Sequence, residues 1–273
     1  MSRNGAHLTN AQIDAAFANG EFDCVFQPKI SLLNSKILGA EALVRWHHPE
    51  LGEMPPSIFL SFLSQQGRMQ ELTARVFDRA LAAAAQWHSQ GQDWLVHVNL
   101  SADDLNFPGL AQALEIRLRH HQLAARFVRL ELSEAQIGEL SIMARERLVR
   151  LLEAGFSLAL QGPSPKPFRD SDEFYVSEFQ FRGTALLGLA EALSPTRSGR
   201  LLGMLRAAKR LDRETCAIGL DKITDLQTAR ALGFDAATGF SIARPMSLEN
   251  FLKWASNREP VLIETDQAAC KDS

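Results

Sequence analysis

A single (β/α)8 barrel of the α/β class, with its first strand antiparallel to the rest, is the fold predicted by this 273-residue sequence. Three observations predict it. Eight β-rich runs recur along the chain, amphipathic stretches separate most of them, and only a short loop separates the first two.

The first run, Phe22–Gln27, follows a segment, Thr9–Asn19, that reads as a helix capping the barrel. The second, Ile37–Trp46, comes after a loop containing Asn34-Ser35. A connection that short makes a hairpin, so these two strands are expected to run antiparallel. The remaining strands are Trp94–Leu100, Phe127–Glu134, Phe156–Gln161, Tyr175–Phe181, Thr215–Leu220 and Phe234–Phe240. Runs such as Val25-Phe26 and Leu158-Ala159-Leu160 are apolar throughout, as suits strands buried on both faces of a parallel sheet. Between strands two and three, Leu72, Val76, Ala80, Ala83 and Trp87 recur at steps of three and four, the stripe of a long alanine-rich helix. Ala144, Leu148 and Leu151 before Gly155, and Leu226, Ala229 and Leu232 before Gly233, repeat that pattern with a glycine placed to end each helix. No repeat, low-complexity block or linker divides the chain. Residues 1–20 read as the N-terminal capping region and 258–273 as a polar tail that frays.

Composition narrows the function. Twenty-nine basic residues against 32 acidic ones give a net charge of −3, so there is no strong electrostatic reason to expect a nucleic-acid polymer or an anionic membrane surface. Three cysteines, Cys24, Cys216 and Cys270, lack zinc-type spacing and do not pair into a disulfide framework, which fits a reducing cytosol. Met1–Asn10 lacks the apolar core of a signal peptide, and no apolar run approaches the ~20 residues of a membrane span. The expectation is a soluble, cytoplasmic protein.

Ligand sites of such barrels lie where the strands end. The second strand offers Glu41 through Trp46, the third Val98-Asn99-Leu100-Ser101, and the fourth Glu131-Leu132-Ser133-Glu134. Carboxylates and an amide oxygen converging at one mouth suit a divalent cation such as Mg²⁺, and they suit capping and hydrogen bonding of loop backbone equally well.

The same residues carry a resemblance. Phe26-Gln27-Pro28, the run Gly39-Ala40-Glu41-Ala42-Leu43-Val44-Arg45-Trp46-His47-His48-Pro49, and Pro55-Pro56-Ser57-Ile58-Phe59 resemble the first third of the EAL domain of bacterial cyclic di-GMP phosphodiesterases. Val98–Ser101, Leu130–Glu134, Gly233-Phe234-Asp235, Gly239-Phe240 and Pro245 continue the likeness in register, over about residues 8–257. The resemblance implies a TIM-like barrel with one antiparallel strand. For active members it implies phosphodiester hydrolysis by metal-activated water.

Residue by residue, the likeness retains Glu41, Asn99 and Glu134 as remnant metal ligands and departs in the second half. The family's aspartate pair falls on Gln161 and Gly162, and its strand-six lysine and aspartate fall on Gln180 and Arg182. Its later glutamates fall on Ile218 and Asp221, and its late glutamine on Thr238. Asp170, Asp172 and Glu173 lie too far along the loop to stand in for the aspartates. What survives is the outline of a ligand pocket made of Gln27, Glu41, Leu43, Arg45, Asn99, Glu134 and Arg182, far less negative than the family's and therefore less in need of cations. Arg45 matches a phosphate-contacting arginine. Ser64 replaces an acid expected to meet a guanine edge.

The resemblance thus implies a degenerate, catalytically inactive EAL barrel in bacterial cyclic di-GMP-linked signalling. It would act on a regulatory protein partner and have no cofactor, Mg²⁺ being held at most weakly. A metal-independent cyclic di-GMP receptor and a weak residual one-metal phosphodiesterase are the alternatives. The expected partner face combines Gly162–Glu173, which has three prolines, with an apolar ridge near Thr184–Leu193, alongside the reading that the ridge packs on the barrel. His47-His48 read as loop, the basic faces at Arg117–His121 and Arg206–Arg210 as solvated surface or partner contacts, and Trp87 as core.

Overall fold

The computed structural model describes residues 8–162, 175–183 and 195–258. Elements run in the order α1 (Asn10–Asn19), β1 (Phe22–Ser31), β2 (Ile37–His48), β3 (Gly52–Met54), α2 (Pro56–Gln65), α3 (Met69–Ser89), β4 (Leu95–Asn99), α4 (Ala102–Leu105) and α5 (Leu110–His120). There follow β5 (Val128–Ser133), α6 (Glu134–Glu139), α7 (Ile142–Glu153), β6 (Ser157–Gln161), β7 (Glu178–Arg182), α8 (Pro195–Arg210), β8 (Glu214–Ile218), α9 (Ile223–Ala231), β9 (Ala236–Thr238) and α10 (Leu248–Asn257).

Parallel pairing runs from β2 through β4, β5, β6, β7 and β8 to β9. β1 closes the barrel, lying antiparallel to β2 on one side and to β9 on the other. All eight expected strands are present. Two differences matter. The hairpin flap β3, antiparallel to the end of β2, is too short at three residues to show a period. β1 also continues past Pro28 to Ser31. Proline removes a ladder donor, so it reads as a strand end. Here Pro28 pairs with Ala40 inside the β1–β2 ladder, and its carbonyl accepts from the Thr238 hydroxyl at 2.9 Å. That continuation carries Lys29 into the barrel.

The helices follow the stripe. Leu72, Ala80, Ala83 and Trp87 of α3 are fully buried against the sheet, and the Trp87 indole donates to the Trp94 carbonyl at 3.0 Å. Gly155 and Gly233 follow α7 and α9 with φ of 99° and 79°, the left-handed turn that ends a helix. A second apolar cluster joins Ile13 of α1 to Phe22, Trp46, Phe59 and Leu63, which packs α1 against β1, β2 and α2. Gly39 is required by close approach, because a Cβ there would overlap the backbone of Leu95 on β4. His48 is buried, its Nδ1 accepting the amides of Glu50 and Leu51, which is a structural role. No described helix is long and apolar enough to cross a membrane. The expected partner loop beyond Gly162, the ridge near Thr184–Leu193 and the tail after Arg258 lie outside the described residues.

Candidate functional site in the barrel

A cavity of about 440 Å³ opens at the C-terminal ends of the strands, between β2, β4 and the helices α2 and α3. Glu41, Leu43, Asn99, Gln161 and Arg182 line it. Alternation along β2 turns Glu41 and Leu43 toward the barrel interior, while Trp46 packs outward with Ile13 of α1 and Phe59 of α2. Glu41 Oε1 accepts from Asn99 Nδ2 at 2.7 Å. An Arg182 guanidinium nitrogen donates to Gln161 Oε1 at 2.9 Å.

The structure does not gather all of the expected site residues here. Glu134 faces an adjoining recess of about 500 Å³, shared with Ser133, Gln161, Gly162 and Arg182. The local sequence explains its position. The Ser133 hydroxyl accepts from the Gln136 amide and Gln136 Oε1 accepts from the Ser133 amide, a capping box that makes Glu134 the first residue of α6. Ser101 and Asp104 form the same box at α4. The capping role therefore accounts for both serines, and Glu134 lines a different recess from Glu41 and Asn99. Arg45 and Gln27 also lie outside the cavity lining. Arg45 donates to its neighbour's carbonyl at 2.8 Å and stands 3.5 Å from Glu53 on β3, while Gln27 donates to the Ala243 carbonyl at 3.3 Å.

Beneath the mouth the barrel interior is charged. Lys29 Nζ lies 2.6 Å from Glu178 Oε1 and 3.2 Å from His97 Nδ1. His97 Nδ1 lies 2.8 Å from Glu131 Oε1. Gln180 donates to Glu131 Oε1 at 2.6 Å and to Glu178 Oε1 at 2.9 Å. Arg129 bonds Glu178 Oε2 at 3.0 Å and reaches Glu214 at the opposite end. Lys29, His97, Arg129, Glu131, Glu178 and Gln180 are all buried.

Electrostatics divide these groups. Burial opposes ionisation of Glu178, but Lys29, His97 and Arg129 more than offset it and hold the carboxyl well below its usual range. Glu131 is likewise depressed, the His97 hydrogen bond and Lys29 overcoming burial. Burial also opposes the Lys29 charge, and the Glu178 and Glu131 carboxylates around it hold its pKa above the ordinary lysine value. Burial pushes the Cys216 thiol well up, so it stays protonated and the carboxylates do the stabilising. His97 is lowered by burial and by Lys29. We assign its proton to Nδ1, facing the Glu131 carboxylate, which leaves a buried Nε2 without a hydrogen-bond partner. Glu41 behaves oppositely to its neighbours. Burial and the Glu131 carboxylate push it up to about 8, against the pull of the Asn99 hydrogen bond.

Sequence reasoning missed this set: Lys29, His97, Glu178, and Glu131 as the interior acid of its motif. A period of two was the available signal. Lys29 is two beyond Gln27, His97 two before Asn99, and Glu178 two before Gln180, so each shares the inward face of a residue already singled out.

The strand order, the antiparallel closing strand and a mouth cavity of ligand size define a TIM-like barrel. The profile of the EAL domain matches residues 10–245, and the chain belongs to the EAL domain family. The cyclic di-GMP phosphodiesterase RocR of Pseudomonas aeruginosa is 28% identical over 250 residues, 90% of this chain and 63% of RocR, so the chain spans less than two thirds of that relative. Among solved structures, the PaMucR phosphodiesterase in complex with c-di-GMP superposes with a TM-score of 0.81 at 23% identity, covering 88% of this chain and 98% of that one. The EAL domain of FimX from Pseudomonas aeruginosa bound to c-di-GMP gives a TM-score of 0.77 at 21% identity, covering 86% and 95%. Likenesses at that identity bear on the fold.

Proposed function

We propose that this chain is a non-hydrolysing EAL domain of cyclic di-GMP-linked signalling that acts by contacting a regulatory protein partner. One observation carries the reading. At the ends of β6 and β7, where the family resemblance implies an aspartate pair and a lysine, stand Gln161, Gly162 and Gln180, and Gln180 is spent on hydrogen bonds to Glu131 and Glu178. A two-metal centre does not fit these residues. Glu41 is held by Asn99, Glu134 lies in the next recess, and the ammonium of Lys29 stands among the interior carboxylates. With Glu41 protonated, Lys29 and Arg129 balance Glu131 and Glu178, so the interior has no charge deficit for divalent ions to fill. Exposed Ile116 on α5, with Ile142 and Met143 at the start of α7, provides apolar surface for a partner on two helices that pack together.

A second reading, metal-independent binding of cyclic di-GMP, is supported by the open mouth and by Arg182, a cation on both recesses whose hydrogen bond is to the neutral Gln161. The family resemblance and RocR's name favour that nucleotide. Calorimetric titration with cyclic di-GMP, with and without Mg²⁺, tests both readings. Binding of equal strength in EDTA supports the receptor, and no heat in either condition leaves the partner-binding module. Strictly Mg²⁺-dependent binding would overturn the charge argument.

A further inference from the structure

We propose that the ammonium of Lys29 is a built-in replacement for a divalent cation: it fills a three-ligand pocket of His97, Glu131 and Glu178 inside the barrel, and its removal opens that pocket to one transition-metal ion. Those three residues, on β4, β5 and β7, place a ring nitrogen and two carboxylate oxygens within 4.8 Å of one another, all buried. One imidazole and two carboxylates suit Zn²⁺, Co²⁺ or Mn²⁺. Lys29 reaches the same spot from β1, with Nζ 2.6 Å from Glu178 and 3.2 Å from His97.

Two further features point to a cation position rather than an incidental ion pair. The His97 ring nitrogen that faces the acids, Nδ1, lies 2.8 Å from Glu131 Oε1 and 3.2 Å from Lys29 Nζ, so one spot meets the ring, a carboxylate and the ammonium, and a metal ion there would displace the Nδ1 proton. Gln180 holds one oxygen of Glu131 and one of Glu178 from the same amide nitrogen, which fixes the two acids facing each other. Carboxylates clamped that way repel unless a positive charge lies between them, and Lys29 supplies it. The charge arrives on the chain itself, so no ion has to be recruited from solution. The pocket is distinct from the mouth cavity, whose lining includes neither His97, Glu131 nor Glu178.

The inference rests on the non-catalytic reading, and metal uptake tests it without any measure of turnover. Wild type, Lys29→Met, and Lys29→Met combined with His97→Phe are titrated with Co²⁺, followed by visible absorption and calorimetry. Lys29→Met is expected to take up one equivalent on the order of 100-fold more tightly than wild type, because the incoming dication no longer meets a fixed ammonium. The His97→Phe partner variant should lose most of that gain. Lys29→Met is also refolded from urea with and without Co²⁺, and Co²⁺ is expected to raise its stability. Lys29→Met combined with Glu178→Gln removes both members of the ion pair and should fold without gaining Co²⁺. Equal Co²⁺ binding by wild type, a folded Lys29→Met that takes up none, a Lys29→Met that stays unfolded in excess Co²⁺, or gain of Co²⁺ by the Glu178→Gln double variant would each overturn the proposal. Cyclic di-GMP hydrolysis by wild type would overturn the non-catalytic reading alone.

Discussion

Replacing Glu178 by glutamine should be among the most damaging single changes in the barrel. The side chain is 1% exposed, and both oxygens are engaged: Oε1 by Lys29 at 2.6 Å and Gln180 at 2.9 Å, Oε2 by Arg129 at 3.0 Å. Glutamine keeps the shape and removes the charge. Lys29 is then left as a buried ammonium with Glu131, already engaged by His97 and Gln180, as its nearby carboxylate. Removing one partner of a buried pair costs about 3–5 kcal/mol, because the remaining charge keeps its desolvation penalty without its attraction. At about 2–4 °C per kcal/mol for a domain of this size, the melting temperature should fall by roughly 6–20 °C. Urea unfolding followed by tryptophan fluorescence gives the free energy, since Trp46 and Trp87 are fully buried in the native state. Lys29→Met added to Glu178→Gln should recover much of the loss, a coupling of about 1 kcal/mol or more in a double-mutant cycle. A loss below about 1 kcal/mol for Glu178→Gln, or additive effects in the cycle, would refute the account of the interior as a mutually dependent charge network.

Other outcomes follow from the same geometry. Glu41 binds its proton more tightly folded than unfolded, so wild-type stability should fall as pH rises from 4.5 to about 8. Glu41→Gln removes that slope, and the difference, read by urea unfolding at several pH values, should grow in the variant's favour across the window. Gly39→Ala should cost about 3 kcal/mol or more, since its Cβ overlaps the backbone of Leu95, and a near-native melting curve would contradict that packing. For cyclic di-GMP, calorimetry should find Arg182→Ala weakening binding by roughly 1.5–3 kcal/mol. Arg45→Ala should weaken it less, because that guanidinium is already engaged by the Val44 carbonyl and Glu53.

The framework of the barrel could be read from the chain because its signals are local. Apolar runs marked eight strands, and the short Asn34-Ser35 connection marked the antiparallel pair. β3 could not be read, since three residues carry no period. Pro28 hid the end of β1, because a proline inside a strand looks like a stop until the partner strands are known. At the site, Glu41, Leu43, Asn99 and Arg182 were legible as strand-end residues and do line the mouth. Lys29, His97 and Glu178 were not, because single charged residues inside apolar runs give no hint of a partner. Lys29 and Glu178 are 149 positions apart and meet only when β1 closes the barrel. Glu131 and Glu134 sit in one motif, and a one-residue offset in strand length decides which points inward. The capping box at Ser133 settles that by starting α6 at Glu134.

Turnover of cyclic di-GMP tests the central claim most directly. The purified chain is incubated with the nucleotide and Mg²⁺ or Mn²⁺, and the linear dinucleotide is measured by liquid chromatography. With Gln161, Gly162 and Gln180 at the strand ends and Lys29 among the interior carboxylates, product should stay at the level of the protein-free control with either metal. Metal-dependent product that disappears in Glu41→Gln would contradict the account.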